Sequence, residues 1–228
     1  MKVSSDATLF GGLIETDGVQ RILDIGTGTG LLSLMLAQRT PDSCRIDAVE
    51  LDGVAFKRAS QNKNQSPFSD KITVIHQNIS DYRQTCFKTY DLIICNPPFF
   101  ENALLSNKTT KNLARHSNTE SLTFDLLVPI ATQLLDPLGA FWVLIPEDLS
   151  PKLNHIATEN GLFHAKQFKI RHTNEIKPNR VISCFKKKPT LLESMDLVRY
   201  DSMGFVSKEV QTILQDFMIY FPPLKKTT

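Results

Sequence analysis

From Arg21 to Pro146 the chain alternates between short apolar runs of β character and segments of helical length, and no other feature narrows the fold as far. The strand-like runs are RILDI (21–25), RIDAVE (45–50), KITVIH (71–76), YDLIIC (90–95) and AFWVLIP (140–146). Between them lie LLSLMLAQR (31–39), the amphipathic GVAFKRASQNKNQ (53–65) and SLTFDLLVPIATQLL (121–135). Strands alternating with helices predict an α/β fold with a doubly wound, mostly parallel sheet.

The second half closes that sheet. Ser150 to Asn160 reads as a further helix, with Gly161 as its stop signal. FHAKQFKIRH and NRVISCFKK, joined by the turn-forming TNEIKP, predict an antiparallel C-terminal hairpin at one edge. In residues 205–221 the spacing of Val206, Val210, Ile213, Leu214 and Phe217 predicts a helix packed on the domain. At 228 residues, 41% hydrophobic and 22% charged, the chain reads as one globular domain over 1–228, not a disordered one. No apolar run approaches the roughly 18 residues of a membrane span, and the N-terminus has no signal-peptide core. Four scattered cysteines without a C-x-x-C pair read as reduced thiols of a cytoplasmic protein.

The first strand runs into DIGTGTG, Asp24 to Gly30. Gly26, Gly28 and Gly30 let the backbone turn tightly and approach a ligand where open α/β sheets bind nucleotides. A dinucleotide fingerprint requires G-x-G-x-x-G, but here the third glycine comes one residue early and Leu31 stands in its place. No lysine follows to make a phosphate loop. Glu50 ends the second strand about twenty residues later, where a carboxylate can accept both hydroxyls of a ribose. An adenosyl group without a pyrophosphate fits that pair. The bland alternative is a tight turn and a solvated acid.

ICNPPFF (94–100) poses a separate question, because two prolines stand where a strand would go on pairing. Pro97 and Pro98 end the ladder and hold the following residues stiff, which leaves acceptors beside the rings of Phe99 and Phe100.

With DIGTGTG, the acid at Glu50 and NPPF at 96–99, the sequence resembles the class I, seven-stranded S-adenosylmethionine-dependent methyltransferases that act on an amino nitrogen. KVSSDATLFGGL at the start, LLSLMLAQRTPDSCRIDAVELD, ENAL after the NPPFF and NRV at 179–181 are similar to the bacterial valine-tRNA adenine-37 N6-methyltransferase family. The resemblance implies S-adenosylmethionine as cofactor, held by Asp6, Asp24, Gly26, Gly28, Gly30, Glu50, Leu51, Asn78, Ile79 and Asn96. It makes residues 1–20 a segment over the cofactor and tRNA the partner, and the family pattern extends ahead of the KVSSD stretch. Asn78 stands where the pattern usually has Asp, so its neutral amide oxygen would meet the adenine amine of the cofactor.

Chemically, an exocyclic amine is a poor nucleophile because its lone pair is delocalised. If the Asn96 side-chain oxygen and the Pro97 carbonyl each accept one N–H, that lone pair can point at a methyl donor, with Phe99 stacked on the base. The catalytic expectation is therefore Asn96, Pro97 and Phe99. The five histidines show no ligand spacing, and no metal is expected. For the substrate, Phe99, Phe100 and Lys186, Lys187 and Lys188 are the candidates. Eight basic residues between Lys166 and Lys188 face one acid, Glu175, and either grip RNA phosphates or form a solvated hairpin face. Residues 101–118 are either a lid over the base or an ordinary long loop. Rival readings are another amino-nitrogen substrate (rRNA guanine N2, DNA adenine N6 or a protein glutamine) and a non-catalytic cofactor-binding module.

Overall fold

The computed structural model describes residues 5–97 and 122–221. Its strands are β1 (Arg21–Ile25), β2 (Arg45–Glu50), β3 (Ile72–His76), β4 (Tyr90–Cys95), β5 (Leu135–Pro146), β6 (Phe163–Arg171), β7 (Arg180–Lys186) and β8 (Glu193–Val198). They form one sheet in the order β3-β2-β1-β4-β5-β7-β6-β8. Only β7 runs antiparallel to its neighbours. The doubly wound, mostly parallel architecture and the C-terminal hairpin are therefore as the sequence predicts. The carboxyl ends of β1, β2, β4, β5, β6 and β8 share one rim with the start of β7.

The helices are α1 (Ser5–Leu13), α2 (Leu31–Arg39), α3 (Gly53–Asn64), α4 (Ile79–Thr85), α5 (Phe124–Leu134), α6 (Ser150–Glu159) and α7 (Lys208–Leu214). Strand alternation sends successive side chains to opposite faces. Ile22, Ile46, Ile94, Trp142 and Ile182 pack with α1, α2 and α7, whereas Leu23, Ile93, Phe141 and Phe185 pack with α4, α5 and α6. Each such fully buried apolar side chain contributes about 1.5–3 kcal/mol. A buried lysine closes α2: Lys71 Nζ donates to the carbonyls of Ala37 and Thr40, both at 2.5 Å. It satisfies acceptors that the last turn leaves unpaired, and its charge suits the negative end of the helix.

Four details differ from the sequence expectation. The sheet has eight strands, because ESMDLV pairs in parallel with β6; only Leu197 on it is buried, so an apolar run could not reveal it. The tail helix is confined to Lys208–Leu214, starting where the Ser207 side chain accepts from the Val210 N–H, and Phe217, Met218 and Phe221 pack on the core beyond it. β5 begins at Leu135, five residues early, with an irregular register against Tyr90 and Leu92. Helix α4 had no sequence counterpart. Among the described residues no helix is long and apolar enough to cross a membrane.

Candidate active site

The glycine turn sits at the carboxyl end of β1 and hooks over β2. The N–H groups of Gly26 and Thr27 donate to the Val49 carbonyl at 2.9 and 3.1 Å. Gly26, Gly28 and Gly30 take φ of 70°, 61° and 80°, left-handed values that a side chain would penalise. Asp24 braces the turn from below. Its Oδ2 accepts from Thr27 Oγ1 at 2.6 Å and Ser33 Oγ at 2.7 Å, while Oδ1 is buried with no hydrogen-bond partner among the described residues. Burial pushes this carboxyl up to about 6, against the opposing effect of the two hydroxyls. An unsatisfied buried carboxylate oxygen suits a cationic ligand group. Thr27 and Ser33, and Asn62, whose Nδ2 donates to the Thr29 carbonyl at 2.8 Å, are supports that sequence reasoning missed. The T-x-T and L-L-S spacing held a signal for the first two; Asn62 comes from a different helix and gave none.

Glu50 is 9% exposed at the end of β2, and each of its oxygens already accepts one backbone N–H: Gly28 at 2.7 Å and Asp52 at 2.8 Å. The acid thus shapes the glycine turn as well as facing the rim. Each oxygen keeps a second lone pair, enough for two ribose hydroxyls. Leu51 follows, with its carbonyl 3.0 Å from His76 Nε2. Asn78 carries a role the sequence reading did not assign. Its Oδ1 accepts the Ser80 N–H at 2.9 Å and caps α4, so one lone pair of that oxygen is spent on the helix. Ile79, first in α4, is buried in the core beside α5 and α6.

Asn96 follows directly on β4, whose Cys95 pairs with Ile25 on one side and Val143 on the other. Continuing the alternation of Leu92 and Ile94, it belongs to the same face as Asp24 and Glu50. Its Oδ1 is buried and has no hydrogen-bond partner among the described residues, and Pro97 is buried beside it. Phe99, Phe100 and the 101–118 segment lie outside the described residues.

Asp6 stands near the same rim but is engaged by other side chains, and the expected lysines are placed elsewhere. Asp6, near the start of α1, is clasped by Arg180 at 3.6 Å and by Arg199, so its carboxylate is already engaged. Lys186 pairs with Ala140, which is level with Leu92 near the amino end of β4, and with Phe163 at the amino end of β6, and Lys187 Nζ donates to the Leu135 carbonyl at 2.7 Å. Because β7 runs antiparallel, its six-residue climb from Arg180 puts the Lys186–Lys188 run about 20 Å from the rim that holds Asn96. The structure does not bring these lysines to the site. Lys166 is also remote, tied to Glu15 and Glu193. Among the described residues no His, Cys, Asp and Glu cluster has the makings of a metal site.

A turn that offers no cradle for a pyrophosphate, next to a ribose acceptor and an unsatisfied carboxylate, suits an adenosyl group carrying a cationic end. On this strand order, with an antiparallel β7, that combination is the mark of a class I S-adenosylmethionine-dependent methyltransferase. Comparison with known proteins agrees. Residues 6–152 match the methyltransferase small domain family. A protein of Histophilus somni (strain 2336) is 36% identical over 221 residues, covering 97% of this chain and 92% of its own length. One of Trichodesmium erythraeum (strain IMS101) is 36% identical over 222 residues with the same coverage, and both are named tRNA1(Val) (adenine(37)-N6)-methyltransferase. The chain belongs to the tRNA1(Val) (adenine(37)-N6)-methyltransferase family. Among solved structures, a predicted O-methyltransferase from Agrobacterium tumefaciens shares the fold at a TM-score of 0.71 and 16% identity, over 97% of this chain and all of its own. The ribosomal protein L11 methylase of Lactobacillus delbrueckii subsp. bulgaricus does so at 0.56 and 16%, over 81% and 77%.

Proposed function

We propose that this protein transfers a methyl group from S-adenosylmethionine to the N6 amine of an adenine in tRNA, adenine 37 of a valine tRNA by its relatives' name, and that it does so in the cytoplasm. One observation carries the chemical reading: a buried side-chain oxygen, Asn96 Oδ1, stands without a partner among the described residues at the end of a central strand. A buried acceptor left unmet costs about 1–3 kcal/mol, which an incoming N–H returns.

The residues divide the work. Glu50 takes the ribose hydroxyls with its remaining lone pairs while its existing bonds keep the Gly28 and Asp52 amides in place. Asp24 meets the cationic end of the cofactor with Oδ1. Leu51, Asn78 and Ile79 line the adenine at the ends of β2 and β3. Once bound, S-adenosylmethionine supplies an electrophilic methyl with a neutral thioether leaving group. Asn96 Oδ1 and the Pro97 carbonyl accept the two amine hydrogens of the substrate and turn its lone pair toward that methyl. The proton lost on methylation leaves to solvent, since positioning, more than acid–base chemistry, is what the strand end provides. Phe99 and Phe100 supply the stacking faces. The target base must leave its stack, at least cost in a single-stranded loop.

The test is methyl transfer to total tRNA from cells lacking this activity, followed by nucleoside analysis. N6-methyladenosine formed in the wild-type reaction supports the reading; a different methylated nucleoside, or none, overturns it.

A further inference from the structure

If the base enters at Asn96, the RNA strand attached to it must cross the rim formed by the carboxyl ends of the strands. The residues that grip it must therefore stand on that rim. The register sorts the basic hairpin into two ends. Lys186 is level with Ala140 and Phe163 at the far end, whereas Arg180 is level with Pro146 and Ile170 at the rim, two strands from Asn96. His172 follows β6 and Tyr200 follows β8, three and four strands from Asn96, and three to four inter-strand steps are about 14–19 Å, the reach of two or three nucleotides.

What stands at the rim has the composition of a single-strand contact. The turn between β6 and β7 carries Lys177, which is exposed and makes no ion pair with any described side chain. At the start of the same turn, the ring of His172 lies 4.9 Å from that of Tyr200, tilted by 55°. The Tyr200 N–H donates to the His172 carbonyl at 3.1 Å, so the two rings are fixed to each other by the backbone as well. Arg180 and Arg199 hold Asp6, with side chains 18% and 15% exposed. Of the acids close by, Glu175 is exposed in the same turn, while Asp201 is occupied, its Oδ1 accepting from the N–H groups of Met203 and Phe205, both at 2.9 Å. Asp196 is paired with Arg171.

The geometry points to the β6–β7 turn and the segment after β8 as the RNA-binding surface, with Lys177 on a backbone phosphate and the His172–Tyr200 pair under a base two or three nucleotides from the target. The Lys186–Lys188 run takes no part in it. A phosphate contact is electrostatic and carries salt dependence, and a stacking contact carries affinity with little of it. This assignment rests on the tRNA reading above.

Full-length protein is titrated with tRNA by fluorescence anisotropy across a salt series. Lys177→Gln should lower the slope of log affinity against log salt by about 0.7–1. His172→Ala combined with Tyr200→Ala should weaken binding about five- to hundredfold with the slope unchanged. The triple Lys186, Lys187 and Lys188→Gln variant should bind within about twofold of wild type. S-adenosylmethionine affinity should be unchanged in all three. Lys177 is exposed, so its variant folds even if the aromatic double variant does not. The assignment is overturned if Lys177→Gln keeps the wild-type slope, or if the triple lysine variant shows the loss. If the wild-type chain itself neither binds nor methylates tRNA, the functional reading fails first; if it does both while the turn variants are silent, only the rim assignment fails.

Discussion

Replacing Asp24 by asparagine should stabilise the protein without ligand and weaken its hold on the cofactor, two effects of opposite sign from one carboxylate. The group is 1% exposed, and burial raises it from an ordinary 3.8 to about 6. At neutral pH it is ionised in both folded and unfolded chains, and that displacement corresponds to about 3 kcal/mol of stability forgone. In the Asp24→Asn variant the amide oxygen still accepts from Thr27 and Ser33, but the NH2 takes the unpartnered position at a cost of about 1 kcal/mol. The net gain is about 2 kcal/mol at pH 7. The pH dependence follows from the raised value: the unfolded chain ionises first, so the neutral carboxyl's contribution is full below about 4 and lost as pH rises through about 6. Urea unfolding of both proteins between pH 4 and pH 8 measures this. The stability difference should climb across that window and level off above it, while calorimetry at pH 7.5 shows S-adenosylmethionine binding weakened about tenfold or more. A difference independent of pH, or unchanged cofactor affinity in Asp24→Asn, would refute the reasoning.

Wild-type affinity for S-adenosylmethionine should fall as pH drops below about 6, by up to tenfold per pH unit, because a protonated Asp24 no longer attracts a cation; a calorimetric pH series checks it. Glu50→Ala should raise the cofactor dissociation constant about a hundredfold and lower the melting temperature, since it removes two ribose acceptors and the bonds to Gly28 and Asp52 together. Gly139→Ala should cost about 2 kcal/mol or more in urea unfolding, because its methyl would lie 2.9 Å from the carbonyl oxygens of Tyr90 and Asp91, atoms that the sheet holds in place.

Particular residues show where the sequence was readable. RILDI, RIDAVE and YDLIIC lie in the middle of the sheet and are buried on both faces, so apolar residues stand on both faces of each run, around one Asp apiece, and their identity as strands is plain. β8 is an edge strand with four exposed residues and no pattern to find. The glycine turn was legible because its left-handed φ values demand that residue type, and Glu50 because an acid closing a buried strand stands out. The double use of Glu50 was not, since nothing in the order of residues says that a carboxylate 22 positions on will accept the Gly28 N–H. The lysine run is more instructive. Composition alone marked it as basic, but the direction of its strand decides which end of the sheet it occupies. The hairpin expected from TNEIKP already implied that direction: the residues flanking the turn share the rim, and those farthest from it cannot. The cap at Asn78 went unread, although Asp81 three residues on is the kind of side chain that marks a helix start.

The central claim is that the Asn96 side-chain oxygen holds the reacting amine. Single-turnover methyl transfer by Asn96→Ala, with tRNA and S-adenosylmethionine both saturating, tests it most directly. The expected result is a rate lower by a factor on the order of 10²–10³, with cofactor affinity within a few fold of wild type. A variant that methylates adenine at the wild-type rate would contradict it.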